Sequence, residues 1–438
     1  MDAKTIPAAQ TASGHLIRSL GFLGLASVVF NGAVGAGIFA LPGTVAHFSG
    51  GWAPLVIMAV GLAILPTVVV LAQLAGLFDE TGGPVLYVSA AYGPQAGFQI
   101  GWMQCLAGTS SVAANVNLLA DYALGLVPAA KSGAVMHAAV VFAAIGFILS
   151  INLLDAKRSS GWINRISVVK LLPLALLILL ALPRVAGGHA PRPATEWSLA
   201  QAAILSVYSL GGFEGALCIA GEARDPRRDL PRALISVFLA VAALYALLTW
   251  GYVATAYQPG LEDKASLVTM ASVLAGTAGT TIMGVTAVIS IFGVTIVTTL
   301  VVSRRIVALE SIRGLPAWFG AIRADTGLPR NAVLVTIGVI SVLAMSGGFT
   351  ALAALTVISR LTVYLGCALS LPAILIRRGL PVSPLVMGIS AAAAAMCVAL
   401  MTQCSRETWA GFALALAIGL AVKWMAGRSI VAAPLAAG

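Results

Sequence analysis

Charge is the scarcest property of this 438-residue chain: Asp, Glu, Lys and Arg together make up 9%, against 60% hydrophobic residues. A soluble domain carries about 25% charged residues, so a soluble globular protein is excluded and an all-α polytopic membrane protein remains. Histidine is scarce too. His15, His47, His137 and His189 are scattered, which gives no support to a metal-dependent hydrolase or a His-centred catalytic site. Cys105, Cys218, Cys367, Cys397 and Cys404 are odd in number, fall mostly in apolar stretches and show no C-x-x-C spacing, so neither a disulfide framework nor a zinc site is expected. There is no N-x-S/T sequon, no Walker A run and no basic stretch interleaved with aromatics. Direct use of ATP and binding of nucleic acid are therefore not indicated, and no cofactor or metal is expected.

What the chain has instead is apolar length. Twelve apolar segments, roughly 21–45, 52–76, 96–125, 134–154, 161–183, 199–222, 232–254, 270–303, 331–347, 351–376, 383–402 and 408–425, supply the ~20 residues that a helix needs to cross a bilayer. The first is too long, and wrongly flanked, for a cleavable signal peptide, and is read as the first span. With the N-terminus inside, 18 of the 25 Lys and Arg residues are cytoplasmic, 5 are outside, and Lys170 and Arg360 lie within spans. The positive-inside rule then sets residues 1–20 and 426–438 in the cytoplasm as terminal tails. The net charge of +10 is topological on this reading. Its expected partners are anionic lipid headgroups, and the expected location is the cell membrane.

The stretch Asn31 to Gly43, NGAVGAGIFALPG, contains G-x-G-x-x-A at Gly35, Gly37 and Ala40. A dinucleotide site requires a preceding strand and an acid about 20 residues on. Here the preceding run is membrane apolar and Ile57 to Val60 contains no acid, so the nucleotide reading fails. A glycine-rich break over 32–39, inside a membrane-length segment, remains. Unpaired backbone groups in lipid cost several kcal/mol each, by order of magnitude, unless they are buried in protein or line a cavity. The sixth segment carries a second break, LSVYSLGGFEGALCIAGE, with Gly211, Gly212 and Gly215 around Glu214. Interrupted helices at matching places in two halves point to an inverted-repeat transporter whose site lies near the membrane midplane. Half-helix N-termini attract an anion and unwound carbonyls a cation, which suits a zwitterion.

GAGIFALPG in the first segment, GGP with Tyr87 after the second, GFEGALCIAGEARDPRRDLPRAL across the sixth and SRRIVALESIRGLPAWF after the eighth together resemble the amino acid, polyamine and organocation superfamily of permeases. The resemblance implies a LeuT-like fold of two inverted repeats of five helices, residues 21–183 and 199–376, followed by two extra helices over 383–425. It implies a secondary active transporter of amino acids working by alternating access, not an enzyme. Carried over residue by residue, it puts a substrate carboxylate on the backbone N–H groups of Ala36 and Gly37. The amino group then meets the carbonyls of Ala33, Tyr208 and Gly211, with the Tyr208 ring as a gate. Ala36 replaces a serine common in relatives, and Gly211 replaces a larger apolar residue, which is expected to enlarge the side-chain pocket.

Ionisable groups at bilayer depth cost about 2.5–3.5 kcal/mol and require a partner or a task. Lys170 lies about 14 Å into the fifth segment. The resemblance suggests that its ammonium stands where sodium-driven relatives bind the ion; Thr295, Thr298 and Thr299 are either sodium ligands or hydroxyls bonded back to their own helix. Glu214 is either a carboxylate paired with a basic residue or a proton carrier. Arg360 is expected to pair with Glu214, with contact to an acidic substrate or gating as alternatives. Asn115 and Asn117 either line a pocket or bond between helices, and Asp121 is read as a solvated or capping acid. A small-molecule neutral amino acid is the preferred substrate, moved independently of sodium and driven by protons or by exchange. A cationic amino acid or polyamine, or a nutrient receptor on the same fold, is the alternative. Oligomeric state and direction of transport are open.

Overall fold

The computed structural model describes residues 21–78, 82–125, 133–153, 170–187, 192–312, 314–322 and 328–431. The N-terminal tail, residues 432–438 and the first part of the fifth apolar segment lie outside the described residues; residues 426–431, expected as tail, continue the last helix. Every described part is helix or short connection, with no strand among the described residues. We number the helices α1 (Phe22–Ala33), α2 (Gly37–Ser49), α3 (Ala53–Leu77), α4 (Pro84–Tyr92), α5 (Pro94–Gly125), α6 (Ala134–Asn152), α7 (Leu171–Ala186), α8 (Leu199–Leu210), α9 (Pro226–Thr255), α10 (Ser266–Ser311), α11 (Arg330–Ser346), α12 (Phe349–Arg377), α13 (Pro384–Met401) and α14 (Arg406–Val431). A 3₁₀ segment, Phe213–Glu222, follows α8.

The described parts of all twelve apolar segments fall on these elements. By length and composition, seven uninterrupted stretches of described helix can cross a membrane, and α1, α7 and α11 are shorter apolar helices. Gly37–Leu77 is one such stretch by composition but turns sharply at Gly50, whose φ of 57° only glycine adopts readily, so α2 and α3 are separate helices. Local signals set several starts. Asp225 accepts from the Arg228 N–H ahead of Pro226, and Ser383 accepts from the Val386 N–H ahead of Pro384. Two elements were not foreseen: α4, and the opening turns of α10, which a kink at Gly276 (φ 59°) sets off from the rest of that helix.

The polarity is inside out relative to a soluble protein. Leu23, Val135, Leu172, Leu385 and Leu414 are exposed, whereas Ser110, Thr295, Thr299, Thr356 and Ser359 are fully buried. α5, which carries Gln104, Thr109, Ser110, Asn115 and Asn117, packs against both α10 and α12. A helix so polar belongs in the interior, where its side chains find partners: Ser110 Oγ lies 2.8 Å from Thr356 Oγ1, and Asn117 Nδ2 donates to the carbonyl of Ala344 at 3.0 Å. The two interrupted spans pack reciprocally: α1 lies against the 3₁₀ segment, and α2 against α8. Each first part thus meets the other's second part, as two antiparallel broken rods must.

Candidate functional site

The chain leaves the helix at Val34 (φ −87°, ψ 79°) and re-enters it at Gly37, so the first break is three residues long, shorter than the 32–39 expected from sequence. The second is the pair Gly211 and Gly212, the latter with φ 101°. The breaks touch at Gly32 and Gly212, where a Cβ on either residue would run into the carbonyl of the other. Close approach requires glycine at both positions, and at Gly212 the positive φ requires it as well.

Beside this crossing lies a cavity of about 460 Å³. Its lining includes Ala33, Ala36, Gly37, Lys170, Tyr208, Gly211, Glu214 and Arg360 of the residues singled out from sequence. Along α10 the lining runs from Ser290 to Arg305, about 22 Å of helix. Along α5 it runs from Asn115 to Gln104, and the Gln104 carbonyl accepts from Arg305 at 3.3 Å. The end away from Arg304 and Arg305 is narrowed by Tyr208, whose hydroxyl donates to Asn115 Oδ1 at 2.7 Å and whose ring meets Phe349 edge-on.

A helix break frees the carbonyl of residue i and the N–H of residue i+4, and buried groups of this kind need new partners. At the second break one freed pair is the Tyr208 carbonyl and the Gly212 N–H. Arg360 Nη1 donates to that carbonyl at 3.2 Å, and the N–H donates to Glu214 Oε2 at 2.8 Å. Arg360 and Glu214 face each other at 2.9 Å, Nε to Oε1, and Tyr364 donates to Glu214 Oε2 at 3.0 Å. A guanidinium replaces the missing donor, a carboxylate replaces the missing acceptor, and their charges cancel. Desolvating two ions is costly, and these additional hydrogen bonds are what make such a buried pair tolerable.

The first break is mended on one side only. Among the freed carbonyls are those of Ala33 and Val34: Tyr245 donates to the first at 3.0 Å, beside the Gly35 N–H at 3.1 Å, and the Lys170 ammonium donates to the second. The N–H groups that these carbonyls would have bonded in a continuous helix belong to Gly37 and Ile38, at the start of α2 beside the cavity. No carboxylate stands there as Glu214 does at the second break, for Glu214 is the one acid among the described lining residues. The breaks therefore differ electrostatically, the second neutral and the first left with the positive end of a helix.

Several expectations change in detail. Gly211 does not enlarge the pocket, because the guanidinium of Arg360 fills the space that a Cβ there would take. The Ala33 carbonyl already accepts from Tyr245 and from the Gly35 N–H, and the Tyr208 carbonyl from Arg360, so only Gly211 of the three has no such donor in place. A Cβ on Gly37 would stand 3.0 Å from Ser209 Cα and 3.1 Å from Ser209 Cβ, so this glycine is needed for packing of α2 on α8. Of the two asparagines, Asn115 lines the cavity and Asn117 bonds between helices. Thr295 and Thr299 donate to carbonyls of their own helix, while Thr298 lines the cavity. Asp121 pairs with His137 at 3.2 Å near the end of α5.

Residues 20–422 match the amino acid permease family. The chain belongs to that family. Among its relatives are the polyamine transporter PUT1 of Oryza sativa subsp. japonica, 33% identical over 198 residues, which are 42% of this chain and 35% of that protein. An uncharacterized transporter of Mycobacterium tuberculosis is 28% identical over 357 residues, 74% of this chain and 69% of its own. The serine/threonine exchanger SteT of Bacillus subtilis is 25% identical over 293 residues, 65% of this chain and 66% of its own. The match spans about a third of the rice protein and about two thirds of the bacterial ones. Membership places this permease among membrane transport proteins rather than enzymes.

Sequence reasoning missed Tyr245 and Tyr364. The tyrosines carried a usable signal, since a phenol in a membrane span must find a partner for its hydroxyl. Tyr364 also stands four residues after Arg360 and so shares its helix face. Gly32 fell inside the break expected over 32–39, but its particular role exists only where two distant segments cross.

Proposed function

We propose that this permease is a secondary active transporter of a neutral amino acid, working by alternating access through a LeuT-like pair of inverted repeats. The observation that carries the reading is the asymmetry of the two breaks. A substrate carboxylate supplies the anion that the N–H groups of Ala36, Gly37 and Ile38 lack. The substrate ammonium goes to the unwound carbonyls of the second break, Gly211 foremost, because Ala33 and Tyr208 are each already engaged. The side chain then lies toward Arg360, whose bulk favours a small substrate. By the positive-inside rule the end bearing Arg304 and Arg305 is cytoplasmic, so the cavity is that of an inward-open carrier, with Tyr208, Asn115 and Phe349 closing the outer side.

The Lys170 ammonium on the Val34 carbonyl supports sodium independence, since it holds a fixed charge at an unwound carbonyl that would otherwise suit a cation. Exchange is the preferred drive over proton symport. A carboxylate held by Arg360, Tyr364 and the Gly212 N–H is a poor group to load and unload a proton in each cycle. The exchange in SteT's name is consistent with this preference. The test is uptake by proteoliposomes containing the purified chain, with a competition panel of labelled amino acids. Uptake stimulated by internal unlabelled substrate, unchanged when choline replaces sodium, is the expected result. Binding without uptake would make the chain a receptor, and uptake that vanishes with the proton gradient would make it a symporter.

A further inference from the structure

We propose that Arg360 is a specificity residue that bars substrates with a second ammonium group, and that it does so by holding Glu214. The inference rests on the reading of the cavity as an amino acid site. Among the described lining residues, basic groups outnumber acids four to one: Lys170, Arg304, Arg305 and Arg360 against Glu214. Whether a diamine or polyamine can be held there depends on whether that one carboxylate is available.

It is not available. Oε1 faces Arg360 Nε at 2.9 Å, and Oε2 accepts from the Gly212 N–H at 2.8 Å and from the Tyr364 hydroxyl at 3.0 Å. A carboxylate can accept further hydrogen bonds, but its charge is already matched by the guanidinium. An ammonium approaching Glu214 gains little attraction and meets the positive charge of Arg360 at nearly the same distance. Like charges brought together beside a buried pair weigh against the wrong ligand, and selectivity is often built from such repulsion. The arrangement needs Gly211 as well. The guanidinium occupies the volume that any side chain at 211 would take, so Arg360 reaches both Glu214 and the Tyr208 carbonyl only because residue 211 has no Cβ. Gly211, Glu214, Arg360 and Tyr364 thus act as one unit.

The experiment uses the full chain, read by uptake of a labelled neutral amino acid and by thermal shift in detergent, with 1,4-diaminobutane as competitor and ligand. In the wild type, a roughly hundredfold excess of the diamine should neither inhibit uptake nor raise the melting temperature. Arg360→Met removes the charge and leaves Glu214 with its other two bonds; the diamine should then inhibit, and stabilise the protein, at a concentration at least about tenfold lower than any effect on the wild type. Adding Glu214→Gln to Arg360→Met should abolish that gain, and Arg360→Lys should keep the rejection. If Arg360→Met is not recovered as a folded protein, Gly211→Ala displaces the guanidinium instead and should raise diamine sensitivity in the same direction. The proposal is overturned if the diamine binds the wild type as well as the neutral amino acid does, if a folded Arg360→Met or Gly211→Ala gains nothing, or if the double variant keeps the gain. Absence of amino acid uptake by the wild type would refute the transport reading alone, because the thermal shifts still report whether Arg360 excludes the diamine.

Discussion

At the scale of single residues, the site is a set of substitutes for hydrogen bonds that two helix breaks remove. Tyr245 shows this most simply, since its hydroxyl does one thing, donating to the Ala33 carbonyl. Tyr245→Phe should weaken apparent substrate affinity about two- to thirteenfold, from a net hydrogen-bond contribution of about 0.5–1.5 kcal/mol, with a smaller change in maximal rate. The concentration dependence of uptake checks it. Lys170→Met keeps the length of the side chain and strips the charge from the Val34 carbonyl, so uptake should fall at least about tenfold. A Lys170→Met protein that transports normally, beside a wild type that stops in choline, would return the ion site to Thr298 and its neighbours. Gly37→Val should lose both uptake and thermal stability, because its side chain would press on the backbone of Ser209 before meeting any substrate.

At the scale of elements, the two broken spans depend on each other through Gly32 and Gly212. Gly212→Ala combines a strained φ of 101° with a collision against the Gly32 carbonyl, and should destabilise the protein by at least about 1–3 kcal/mol while abolishing uptake. Gly338→Ala is the matching control. That glycine is on α11 with nothing within 4 Å of where its Cβ would stand, and the change should be neutral or stabilising by about 0.5–1 kcal/mol. Thermal unfolding of the two variants side by side should show opposite signs or one null. The logic also explains why the polar helix α5 is central: only there do Ser110, Asn115 and Asn117 reach Thr356, Tyr208 and Ala344 on three different neighbours.

At the scale of the whole molecule, the cavity reaches Arg304 and Arg305 at one end and stops at Tyr208 and Asn115 at the other. This geometry makes a labelling prediction. In a background without native cysteines, Val301→Cys should react with an impermeant thiol reagent applied from the cytoplasmic face and be protected by substrate, whereas Asn115→Cys should react far more slowly. Equal labelling of both from that face would contradict an inward-open state. On the proposed alternating-access reading, the contacts among Tyr208, Asn115 and Phe349 part while the α10 side closes, a change that neutral side chains can make without exposing the buried Arg360–Glu214 pair to lipid.

The sequence by itself determined the membrane class, the helical character, the positions of the two breaks to within a few residues and the small set of ionisable side chains near them. It could do so because lipid makes each of these costly: polar backbone and charge persist in a membrane span only for a reason, so their mere presence is informative. The expectation for Gly211 failed for the complementary reason. Room left by a missing side chain belongs to whichever neighbour reaches it, and that neighbour, Arg360, stands 149 residues away in the chain. Only the tertiary structure decided that Arg360 and Glu214 mend one break while Lys170 and Tyr245 half-mend the other, because a hydrogen bond between distant segments depends on distance and direction in space, which residue type and spacing do not encode.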